Sequence, residues 1–192
     1  MFAKFCAAIG VCVALSACAV GNTVDYRDVV PPLGVKSAQT VAVEAKDQRP
    51  YVLRNDNTPQ WVGMVRGGFG NPFGVHTQSD QPLADDLTKA AIASLQADGV
   101  KAMPAGTRTD RTLTITVKDW KSDSMYTTSI YFDAVAEVRD GAGNSLAKNA
   151  VNDKQVFGNE FQMPASVLQR AHDYFRALMD RLLSQNIRDA LG

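Results

Sequence analysis

The chain has 192 residues, with 20 Lys and Arg against 20 Asp and Glu and a formal net charge of zero. That balance excludes a nucleic-acid binder, which needs a basic face to displace counterions from phosphates. With 45% hydrophobic and 21% charged residues the composition is globular, and the length suits one domain with a tail.

The chain opens Met1-Phe2-Ala3-Lys4 and continues with an uncharged run, Phe5–Ala17 (FCAAIGVCVALSA), up to Cys18. A spanning helix needs about 20 apolar residues. This run is too short to cross and matches the apolar part of a secretory signal. Leu15-Ser16-Ala17-Cys18 resembles the lipobox of bacterial lipoproteins, in which cleavage precedes the Cys and its thiol takes a diacylglycerol. The competing reading, a buried helix with an inert Cys, does not explain why the Lys start, the short apolar run and the terminal LSAC coincide. The expected division is a signal peptide at 1–17, a lipidated N-terminus and tether at 18–39, and a single α+β periplasmic domain at 40–192. Cys6 and Cys12 leave with the signal, so no thiol remains for disulfides, metal or catalysis. At roughly 0.8 kcal/mol per buried methylene, two or three acyl chains hold the protein on its membrane. Ala19 follows the Cys, where retention at the inner membrane is associated with Asp. By resemblance to enterobacterial sorting, this implies the outer membrane, facing the periplasm.

Residues 19–39 contain Gly21, Asn22, Pro31, Pro32 and Gly34 and extend at most about 70 Å as a tether. Thr23–Val30 alternatively lies along the domain as an edge strand that Pro31-Pro32 ends. Thr40–Ala45 (TVAVEA) reads as a strand. Lys46–Thr77 reads as irregular, with three prolines and five glycines among Tyr51, Trp61, Phe69 and Phe73. Such a segment means function, mobility, or a hairpin with Gln60–Arg66 as one strand. Next comes a helix with Asp80 as its cap, Pro82 in its first turn, an apolar stripe of Leu83, Leu87, Ala91 and Leu95, and a stop at Asp98-Gly99. Thr112–Lys118 and Tyr126–Val138 alternate as strands, Asp140–Asn144 is turn chemistry, and Ser145–Phe157 returns as a further strand. Pro164 opens a helix to about Ala190, whose end near Leu182–Leu191 packs either on the sheet or on a partner. The expected fold is α+β, an antiparallel or mixed sheet of about four to five strands with two helices packed on one face.

The chemistry-bearing residues are few. His76 and His172 read as surface or boundary residues, and Asp85-Asp86 suits a helix N-terminus better than a proton-sharing pair. No GxSxG, HExxH, CxxC or GxxxxGK motif occurs. The expectation is a non-enzyme without cofactor or metal. The passage composed for contact is WVGMVRGGFGNPFGVH, with Trp61, Arg66, Phe69 and Phe73 as candidate partner-binding residues. The alternative is an insertion whose aromatics tuck back onto the core.

Together, the lipobox, VAVEAKDQRP, RGGFGNPFGV, PLADDLTKAAIASLQADGV and DGAGN resemble the YajG-type lipoproteins of Gram-negative bacteria over roughly residues 40–185. The long Gly/aromatic segment departs from shorter members of that family. The resemblance implies a compact α/β sandwich that assists larger envelope machines, and it transfers no catalytic residues. The expected function is therefore an accessory or scaffold lipoprotein that binds another envelope protein. The alternative is a lipid- or glycan-binding carrier with an apolar pocket near Phe132 and Phe175.

Overall fold

The computed structural model describes residues 22–66, 70–158 and 164–192, with side chains in the last segment from Ser166. Its elements are β1 (Asn22–Val24), β2 (Thr40–Asp47), α1 (Pro50–Leu53), β3 (Trp61–Arg66), β4 (Pro72–Thr77), α2 (Leu83–Ala97) and β5 (Lys101–Pro104). Three long strands follow, β6 (Arg111–Ser124), β7 (Thr127–Asp140) and β8 (Ser145–Gly158), and then α3 (Pro164–Leu182) and α4 (Gln185–Leu191). Cys18 and Phe69 lie outside the described residues.

The organising strand is β6. One of its edges pairs antiparallel with β7 along the whole length, and β7 pairs with β8. The other edge is shared end to end by two parallel partners: β2 alongside Arg111–Val117 and β3 alongside Ser122–Ser124. Beyond β2 lies parallel β5, and beyond β3 lie β4 and then β1. This makes one mixed sheet of eight strands with four helices among the described residues, which corrects the expected four to five strands and two helices. The α+β class stands. β5 escaped because its four residues pair in parallel with the distant β2, Thr40 opposite Lys101.

A bulge shapes β6. Between Val117 and Asp119 its register against β7 shifts by one residue. Before the bulge the buried side chains are odd-numbered (Leu113, Ile115, Val117), and after it they are even-numbered (Trp120, Ser122, Ser124). The extra residue, Lys118, is exposed, and the strand keeps one face on the core by changing parity. On β7 the even positions from Thr128 to Val138 stay buried without interruption.

Helices α2, α3 and α4 cover the same face, α2 over β2 and β5, the other two over β7 and β8. The predicted stripe on α2 is buried, and Gly99 takes φ +86° at its end. Asp80 does not cap α2: it has φ +56°, Pro82 stands at the N-cap, and the Ser79 hydroxyl donates to Asp86 at 2.7 Å. Leu182, Leu183, Ile187 and Leu191 have no exposed surface, so the end of the chain packs on its own sheet. From Asn22 onward the segment expected as a tether is part of the domain. Tyr26, Val29, Val30, Leu33 and Val35 are all buried.

Candidate functional site

The segment read as irregular is a strand, a helical turn and a hairpin, held by one buried cation. β2 leaves the edge of β6 at Asp47 and β3 joins it at Gly63, so neither strand reaches the backbone of residues 118–121. Side chains from residues 49–51 fill that interval. Arg49, with no exposed surface, donates through Nε and Nη2 to the Asp47 carboxylate at 2.8 and 2.7 Å. It also donates to the carbonyls of Pro59 at 2.8 Å and Trp61 at 2.7 Å, and more loosely to that of Trp120 at 3.5 Å. The Tyr51 hydroxyl donates to the Trp120 carbonyl at 3.1 Å and accepts the Trp120 N–H at 3.3 Å. These contacts supply β6 with backbone partners where the strands do not.

The hairpin follows. Trp61 is 8% exposed, its indole meeting the Tyr51 ring edge-on at 5.2 Å. It is buried against Tyr51, while its neighbour Val62 joins the apolar core. Gly63 lies so close to β6 that an added Cβ would stand 2.3 Å from the Ser122 carbonyl oxygen, and its φ is +150°. Near the tip Arg66 and Phe73 fall on opposite faces of the hairpin, because Val65 pairs with Phe73 and Arg66 with Pro72. Arg66 forms a two-pronged ion pair with Asp123 of β6, at 3.0 and 2.9 Å. Phe73 is 48% exposed. His76 faces back along β4, its ring edge beside Gly74.

Three other titratable groups are buried in the fold. The His172 ring, 7% exposed, stacks on Tyr26 and shares a hydrogen bond with Asp28 at 2.9 Å. Tyr26 is buried, which raises its phenol above the ordinary value. Asp86 is 1% exposed; one oxygen accepts from Ser79, the other has no partner, and burial raises its carboxyl. The space between Phe132 and Phe175, expected as an apolar pocket, is filled by Trp120, whose ring stacks on Phe175 at 4.5 Å. No group of three metal-ligating side chains occurs among the described residues, and none of their helices is long and apolar enough to cross a membrane. Sequence reasoning missed Arg49; an Arg beside a Pro in a loop gives no signal of burial.

No family model and no curated sequence matches this chain. In fold it is similar to a DUF330 protein of Xanthomonas campestris (XCC0632), at 16% identity and a TM-score of 0.55, covering 88% of this chain and 93% of that one. It is also similar to an uncharacterized protein at 10% identity and a TM-score of 0.50, covering 90% of this chain and 99% of that one. Both likenesses concern the fold alone. A superposition on lipoprotein GNA1162 of Neisseria meningitidis has 13% identity and a TM-score of 0.29, covers 70% of this chain and 93% of that one, and supports no inference.

Proposed function

We propose that the protein is an envelope lipoprotein, anchored through Cys18 in the outer membrane and facing the periplasm, which works without catalysis by binding another envelope protein. The lipobox at Leu15–Cys18 and Ala19 support the anchor and its address. The observation that carries the binding role is β8. This strand spans Ser145–Gly158 and, among the described residues, pairs only with β7. Val151 is its one buried side chain. A long free edge presents unpaired N–H and C=O groups that a strand from a partner can take up. The other free edges are poorer: β1 has three residues, and β5 has four and ends in Pro104.

The test is photo-crosslinking in cells from Ala150, exposed midway along β8, with Thr107 in the β5–β6 connection as the matched control. The expected result is one adduct of discrete mass from Ala150 alone, with slowed exchange of β8 amides once that partner is added to the purified protein. Identical patterns from both positions, or exchange unchanged by the captured protein, overturn the reading.

A further inference from the structure

Strand directions bring several chain segments to one end of the sheet. β3 runs toward Arg66, and β6 runs parallel to it toward Ser124, with Val65 opposite Ser124. β4 starts at that end with Pro72, β7 starts there with Thr127, and β8 finishes there with Gly158. β1 is parallel to β4, Asn22 standing opposite Val75. The chain therefore enters the domain from the end that carries the tips of the β3–β4 and β6–β7 hairpins.

The same end collects exposed apolar side chains. Phe73 (48%), Met125 (37%), Tyr126 (72%) and Val156 (50%) lie there, whereas Leu146 belongs to the opposite end and Leu53 to α1. Cys18 precedes Asn22 by four residues, which reach at most about 14 Å when extended. A fourteen-residue strand such as β6 spans roughly 45 Å, so an anchor at Cys18 keeps the Tyr126 end beside the lipid and the Asp140–Asn144 turn away from it.

We propose that the sheet end bearing Phe73, Met125 and Tyr126 docks into the headgroup region of the anchoring membrane, so that the strands stand up from the lipid and the domain does not swing on a tether. The inference rests on the Cys18 anchor proposed above. The chemistry fits a lipid surface. An exposed Tyr has an apolar ring and a polar tip, the combination suited to the membrane interface. The turn it occupies is closed by the Met125 N–H donating to the Thr127 carbonyl at 3.0 Å, so that pair of backbone groups does not depend on water. The Arg66 charge is met by Asp123, so docking draws on apolar contact rather than on anionic lipid. A few side chains bind a bilayer weakly by themselves, and the anchor supplies the high local concentration that makes them dock.

The full lipidated chain carrying Tyr126→Trp, purified from membranes and placed in phosphatidylethanolamine–phosphatidylglycerol vesicles with brominated acyl chains, tests this. Trp61 and Trp120 are buried and give a constant background. The expected result is quenching of the Tyr126→Trp emission at least about twofold stronger than that of an Ala142→Trp variant at the opposite end, unchanged by added salt. Equal quenching at both ends, with a protein mass showing a diacylated Cys18, overturns the docking and leaves the anchor standing. A mass showing unmodified Cys18 overturns the anchor and the docking with it. Shielding of residue 126 only in native membranes, and never in pure lipid, assigns this end to a protein and also overturns the proposal.

Discussion

Replacing Arg49 with Met tests whether one side chain holds the excursion between β2 and β3 on the sheet. Met preserves most of the aliphatic volume and removes every donor, so the loss reads hydrogen bonding and charge rather than a cavity. The Asp47 carboxylate, 14% exposed, loses its ion pair, and the carbonyls of Pro59 and Trp61 lose donors at 2.8 and 2.7 Å. Breaking a buried ion pair costs about 3 to 5 kcal/mol. Partial hydration of Asp47 argues for the lower end, about 3 kcal/mol, or roughly a 150-fold change in the unfolding constant. Urea unfolding monitored by fluorescence measures it, and the emission adds a local readout. Trp61 lies beside the lost contacts and should move to longer wavelength in the folded variant, whereas Trp120, stacked on Phe175, should not. Adding Asp47→Asn removes the stranded charge and should restore part of the loss. A single variant within about 1 kcal/mol of the parent, with unchanged emission, refutes the clamp.

Gly63→Ala forces a Cβ to 2.3 Å from the Ser122 carbonyl oxygen at φ +150°, and should lower stability by about 2 to 3 kcal/mol. Gly158→Ala, with nothing within 4 Å of its added carbon, should be nearly neutral; equal losses from the two would show that close approach of β3 to β6 is not the cause. Phe175→Ala opens the stack on Trp120 and should cost about 4 kcal/mol in thermal or urea unfolding. Asp86 favours its neutral form in the fold, so its contribution is complete below the ordinary carboxyl value of 3.8 and is lost as pH rises through the raised folded value. The urea midpoint of Asp86→Asn should therefore gain on the parent between about pH 4 and pH 7. A difference constant over that range shows that the burial of this carboxylate does not govern it.

What the sequence disclosed was local. The stripe on α2, the alternation of β7 and the Asp140 turn were legible because each depends on neighbours a few residues apart. Asp140 Oδ1, for example, accepts the N–H groups of Ala142 and Asn144 at 2.9 and 2.8 Å. The reading of β6 stopped at Lys118, where the bulge reverses the parity of buried positions, and so missed the half that receives β3. The contact residues fared unevenly for the same reason. Composition marked Trp61 and Phe73 alike, but only the pairing of β3 with β4 and the approach of Tyr51 decide that the first is buried and the second exposed.

These features meet at the interval on β6 between its two parallel partners. A strand that serves β2 and β3 on a single edge must leave part of its backbone unpaired where one stops and the other has yet to start. The protein fills that part with Arg49 and Tyr51, the residues that follow β2, and it places Gly63 where β3 must come close again. The bulge falls in the same interval, so the parity change occurs where no strand on that edge has to follow it. The sheet is thereby continuous from β8 to β1, and the free edge of β8 and the apolar end near Tyr126 belong to one structure. If the clamp fails, the hairpin and β1 lose their fixed relation to the β6–β7 tip. The Arg49→Met variant on vesicles should then show weaker quenching at Tyr126→Trp than at Phe73→Trp, since Phe73 stays on β4, which remains paired with β1 and its anchor. Equal quenching at the two positions would mean that the end of the sheet is held together by something other than this junction.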